Sequence, residues 1–413
     1  MKMFDDEGEM QDWLERELAE REGLTELIEE FDFRTARNAS WSFKKVLESF
    51  EYCFRSLNML EVISRNENIS ISTKEILRPD ILAYAPETQS VVIIELKNIS
   101  GPTRQAGTEL SAYCAEVNNY MPFISDSDIV NVIISVEWPT LLRRHVIQDI
   151  LWRGRKLICL RPELVGTDIR LKVVTPDDLG CAEVDLKLSP HHVGGYQLCL
   201  YDYELYSHNP DRDRLSAHLP QMKSALSAMA AKGHALGSHG FAFLWRDLWT
   251  ESLAPYNITM LNVASFNRLD RFLLELQEGE DLAEISRRLL RMVSEFSPEG
   301  HGNSLNDITN EGERFLRAFC TPRTEGFFTW PALRDVMERR ADHVAFVAWG
   351  IFGERHLDLL DQEYRAGSNP DFFSPQIGIK LVNWIVDESV PYIDLAFFDW
   401  GDNDTDEAGE DDF

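Results

Sequence analysis

The sequence predicts an α/β N-terminal half followed by a second, mixed α+β domain, and three observations lead there. Two apolar runs, one within 78–84 and one within 91–98, flank the turn-rich segment 86–90 and read as paired strands. Before them, Phe43, Leu47, Phe50, Phe54 and Leu57 recur at helical spacing within Trp41–Val62. Past Pro176 the chain becomes rich in Trp, Phe, Tyr and His and carries a long helical pattern, Phe266–Phe296. With 413 residues, 44% of them apolar, two cores can be filled.

In chain order, residues 1–38 form an acidic, helical N-terminal segment. The first domain, 39–176, opens on the helix at 41–62 and continues with a strand near Asn68–Ser72. The two apolar strands follow, and a helix begins after Gly101-Pro102, proline being tolerated in a first turn. The run Ile129–Val136 supplies a further strand. In the second domain, 177–398, strands are expected at Gly240–Trp245, Tyr256–Val263, Val344–Ile351 and Pro391–Phe398, with helices near 266–296, 311–320 and 331–341. Loops are expected at 208–214 and 297–312, and residues 399–413 form an acidic, disordered tail.

Three charges interrupt the apolar strands. Asp80 stands at the start of the first, and Glu95 and Lys97 near the end of the second. Alternation puts Glu95 and Lys97 on one face, and a hairpin brings Asp80 beside Glu95. Val91–Ile94 reads as buried on both faces, where charges are costly unless paired or bound to metal. Two converging carboxylates make a hard-oxygen site suited to Mg²⁺ or Mn²⁺, and a nearby lysine can stabilise developing charge or orient an attacking water. Hydrolysis of a phosphodiester is the chemistry this favours.

Pro79-Asp80 together with Glu95-Leu96-Lys97 resembles the PD-(D/E)xK superfamily of restriction endonuclease-like nucleases, over roughly residues 40–175. That resemblance implies an αβββαβ core, a metal held by Asp80, Glu95 and the Leu96 carbonyl, and Lys97 acting on the water. It also implies products ending in 5′-phosphate and 3′-hydroxyl. Many members add a glutamate from the first helix, and Glu51, after Phe50 and at the edge of the apolar stripe, takes that place. Some branches carry Gln-x-x-x-Tyr on the helix after the lysine strand. Here Glu109 and Tyr113 have the spacing, with Glu in place of Gln and Gln105 one turn earlier, so this helix supports the site in a departed form.

A net charge of −29 opposes nucleic-acid binding, which phosphate contacts dominate. The ends carry much of it: residues 1–32 hold 13 acids against 3 bases, and 396–413 hold 8 acids and no base. Residues 139–172 run the other way, with 8 bases against 3 acids, and Arg143, Arg144, Arg153, Arg155 and Lys156 are the expected DNA contacts.

No apolar run is long enough to span a membrane, and the acidic N-terminus lacks the apolar region of a secretion signal. The six cysteines are scattered without a Cys-x-x-Cys, as in a reduced cytoplasmic protein. The histidines at 191, 192, 208, 218, 234 and 239 lack the short ligand spacing of a zinc site. Gly233–Gly240 lacks the lysine of a phosphate loop. The expectation is a cytoplasmic Mg²⁺-dependent DNA endonuclease whose C-terminal domain serves sensing or assembly through a protein partner or a second copy. By analogy of architecture it is an antiviral defence effector against phage or plasmid DNA. The alternative is a non-catalytic scaffold of a nucleic-acid-processing or defence complex, and the residues do not separate DNA from RNA.

Overall fold

The computed structural model describes residues 3–34, 40–72, 74–98, 105–181, 186–206, 211, 213–296 and 303–398. The chain forms two compact units, Met1–Asp185 and Leu186–Phe413. Both mix helices with a sheet, so the α/β class stands.

Unit 1 begins with helix α1 (Glu7–Glu20), capped by the Asp6 carboxylate on the Glu9 N–H and buried through Met10, Trp13, Leu14 and Leu18. Helix α2 (Trp41–Arg55) ends at Arg55, seven residues short of the expected end. The segment beyond it becomes strand β1 (Glu61–Arg65), which pairs antiparallel with β2 (Ile81–Ala85). The helical apolar spacing runs on past Arg55, but sheet pairing overrides it. The strand expected at 68–72 is absent, because that stretch is a loop closed on itself.

Strand β3 (Ser90–Lys97) pairs antiparallel with β2 and parallel with β4 (Ile129–Ser135), reached through helix α3 (Gln105–Tyr120). Every residue of β3 and β4 is buried, the pattern of strands covered on both faces. Helix α4 (Thr140–Ile147) runs into a π-helical turn, Gln148–Trp152, in which Asp149 is buried. Strands β5 (Lys156–Val165) and β6 (Asp168–Val173) complete a six-stranded sheet of order β1-β2-β3-β4-β5-β6.

Unit 2 holds a five-stranded antiparallel sheet. Its chain runs β7 (Val193–Tyr201), α5 (Leu219–Ala235), β8 (Gly240–Asp247), β9 (Tyr256–Val263), α6 (Asp270–Gln277), α7 (Glu284–Phe296), α8 (Ser304–Leu316), β10 (Thr321–Thr329), α9 (Trp330–Arg340), β11 (Ala341–Trp349), α10 (Ile351–Arg365) and α11 (Pro375–Ile385). Helices cover both faces: Met222, Leu226 and Ile308 on one, Trp330, Phe352 and Leu381 on the other. The expected helix 266–296 is two helices, broken near Gly279, whose φ of 87° is the left-handed region. The loop expected at 297–312 yields to α8 from Ser304, and no strand forms at 391–398, where a short 3₁₀ turn, Leu395–Phe397, lies instead. The tail 399–413 lies outside the described residues. Among the described residues, no helix is long and apolar enough to cross a membrane.

Candidate active site

The β2–β3 hairpin pairs Ile81 with Ile94, and one step further along that register Asp80 stands opposite Glu95. Asp80 lies just beyond the end of β2, so its carboxylate can reach the neighbouring backbone. Its Oδ2 accepts the Leu96 N–H at 2.6 Å. The Lys97 carbonyl is taken by the Val136 N–H on the β4 side. Alternation therefore turns the N–H and C=O of Leu96 toward the Asp80 edge.

Glu95 and Lys97 point to one face, and Lys97 Nζ donates to Glu95 Oε1 at 2.5 Å. Two further carboxylates converge on the ammonium: Glu109 Oε2 from α3 at 3.2 Å and Glu7 Oε1 from α1 at 3.5 Å. Tyr113, one turn beyond Glu109, donates its hydroxyl to the Arg78 carbonyl at 2.9 Å and so fixes the chain entering Asp80. The three core groups are deeply set, with Asp80, Glu95 and Lys97 exposed by 9%, 2% and 6%.

This electrostatic balance is uneven, with three carboxylates paired to one amine and the Asp80 charge nearby. Burial raises the Glu95 carboxyl most, the neighbouring Asp80 charge raises it further, and Lys97 offsets only part. Burial likewise lifts Asp80 above the usual carboxylate range, against the Leu96 hydrogen bond. At Lys97 burial acts downward, but Glu95, Glu7 and Glu109 outweigh it and hold the ammonium charged. Glu95 Oε2 is buried without a hydrogen-bond partner among the described residues, whereas Glu109 Oε2 has the Lys97 ammonium. A buried carboxyl oxygen with no donor, beside a second carboxylate, fits a cation that takes the place of a proton. No group of three or more His, Cys, Asp and Glu side chains suited to a metal occurs among the described residues. The donor set on hand is two carboxylates and a backbone carbonyl, which suits an ion that keeps several waters.

Asp80, Glu95, Leu96, Lys97, Glu109 and Tyr113 are thus brought together, whereas Glu51 is not. It pairs with Arg55 at 2.5 Å, half-exposed, on a helix packed over β5. Sheet packing sends α2 away from β3, and Glu7 of α1 stands at Lys97 instead. The signal for Glu7 was its spacing to Met10 and Leu14, i, i+3 and i+7 on one buried stripe. The side chain of Gln105 lies outside the described residues.

The basic stretch is largely consumed by the fold. Arg153 and Arg155 bind the buried Asp149 at 2.9 and 3.0 Å, Arg143 reaches the Asp178 carbonyl at 3.3 Å, and Lys156 lies 4.7 Å over the Tyr52 ring. Of the five expected DNA contacts, only Arg144 is exposed and without such a partner among the described residues. Comparison with protein-family models, curated proteins and solved structures gives no match.

Proposed function

We propose that unit 1 is a metal-dependent nuclease that hydrolyses phosphodiester bonds of DNA internally. The observation carrying this reading is the meeting of Asp80 and Glu95 across one hairpin, with Lys97 on the same face and an unpartnered Glu95 oxygen among them. The order α2–β1–β2–β3–α3–β4 agrees with the αβββαβ core that the PD-(D/E)xK resemblance implies.

In this reading Mg²⁺ or Mn²⁺ would be held by Asp80, Glu95 and the Leu96 carbonyl, while Glu7 pairs with the Lys97 ammonium. The ion would supply charge neutralisation at the scissile phosphate. The protein's own groups do the rest. Lys97 carries its proton, so it orients water and phosphate by donating hydrogen bonds and stabilises negative charge as it develops. Glu109 positions the Lys97 ammonium, and Tyr113 holds the backbone on which Asp80 is mounted.

A non-catalytic scaffold is the second reading, favoured by the saturation of Lys97 with three carboxylates. Incubating supercoiled plasmid with Mg²⁺ or Mn²⁺ separates the two. Nicking that disappears in both Asp80→Ala and Lys97→Ala supports the nuclease. No nicking with either metal, and partner binding intact in the variants, supports the scaffold. Matched DNA and RNA oligonucleotides identify the substrate.

A further inference from the structure

The chain between β1 and β2 is not a strand but a loop with its ends tied together. The Asn66 N–H donates to the Asp80 carbonyl at 3.0 Å, and Asn66 itself takes the left-handed turn (φ 51°) that reverses the chain. Inside, the Asn68 side chain accepts the Leu77 N–H at 2.8 Å and donates to the Glu75 carbonyl at 3.1 Å, while Ile69 N–H meets the Leu77 carbonyl at 2.8 Å. Helix α3 holds the outside: Tyr113 binds the Arg78 carbonyl, and Glu116 binds the Ile71 N–H. Compact loops with joined ends and internal bonds are often functional.

What this loop presents differs from the 139–172 stretch. The side chains of Arg78 and Lys74 are exposed and form no ion pair among the described residues. Arg78 stands two residues before Asp80, its carbonyl held by Tyr113 and its side chain exposed, so the sequence places a guanidinium next to the acid cluster. Ile71 and Ile76 are exposed beside them. Glu67 and Glu75, also exposed, cancel the loop's long-range field, so its attraction is by contact and not by steering.

We propose that this loop is the substrate clamp of the site, with Arg78, and Lys74 beyond it, holding backbone phosphates of the nucleic acid while Ile71 and Ile76 rest on its sugars. The inference rests on the nuclease reading for the position of the scissile bond, and it assigns the polyanion contact to the 66–80 loop. Arginine suits the role because its planar fork binds phosphate through two donors.

The test measures binding of a short DNA duplex to the full chain in Ca²⁺, across a salt series, alongside cleavage in Mg²⁺. Each phosphate contact adds about 0.9 to the salt slope, so the wild type should show a shallow slope of roughly 1 to 2. Arg78→Ala should reduce the slope by about one and weaken binding several-fold, and Arg78→Lys should keep the slope. Unchanged thermal melting of these variants is expected, since only the Arg78 backbone is bonded. Binding that depends on Arg78 without cleavage by the wild type keeps the clamp and removes the nuclease. Cleavage with an unaltered slope and KM in Arg78→Ala removes the clamp and keeps the nuclease. Absence of duplex binding removes the clamp as well.

Discussion

Two buried carboxylate sites in unit 1 differ in how they are balanced. Asp149, 1% exposed, gives one oxygen to Arg153 and the other to Arg155, so the charge and both acceptors are matched. Beside Asp80, Glu95 shares one amine with Glu7 and Glu109, and Glu95 Oε2 has no donor among the described residues. The first arrangement stabilises a helix turn against the sheet. The second holds acids where their charge is disfavoured, which is characteristic of sites that bind or react. Sequence composition treats both as acids among bases, and only the partners separate them.

The largest expected effect is on chemistry. Asp80→Asn or Glu95→Gln should lower metal-dependent nicking by about 10³-fold, near 4 kcal/mol, while Asp149→Asn leaves the rate per folded molecule within a few-fold. Comparable losses in all three would erase the distinction. Stability should move the opposite way. Asp149→Asn should cost about 2 kcal/mol in chemical denaturation, less than a fully buried pair because Arg153 is half exposed and screened. Glu95→Gln, measured without metal, should stabilise unit 1 by about 1 kcal/mol.

The pH response sharpens this further. Glu95 and Asp80 have folded pKa values raised above the unfolded ones, to about 9 and about 6. The metal-free folded state therefore holds more protons than the unfolded chain through this range. Its stability falls as pH rises from about 4 to about 9. Melting curves at several pH values should show that slope in the wild type and a smaller one in Glu95→Gln, with Mg²⁺ flattening the former. A slope shared by both proteins would assign it elsewhere. The smallest effect concerns the helix glutamate: Glu7→Gln should reduce nicking about tenfold and Glu51→Ala should leave it unchanged.

The Asp80–Glu95–Lys97 constellation was legible because it is local. Period-two alternation and a turn at 86–90 fix which residues meet across a hairpin. Glu7 reaches Lys97 across 90 residues of chain, and its helical spacing to Met10 and Leu14 marks the packed face of α1 without saying which strand that face meets. Strand β1 was hidden for a related reason: residues 61–65 continue a helical spacing and become a strand because β2 offers them hydrogen bonds. The loop at 68–72 alternates like a strand, yet Asn68 takes the Ser70 N–H and Glu116 the Ile71 N–H. The basic stretch misled because one buried aspartate claims two of its arginines.

The most direct test is calorimetric titration of Mn²⁺ into the wild-type chain and into the Asp80→Asn/Glu95→Gln double variant. Runs in two buffers of different ionisation heat at pH 8 report protons released. One binding event with net proton release, lost in the double variant, is the expected result. Equal binding by both proteins, or none by the wild type, would contradict the claim that these two carboxylates hold a divalent cation.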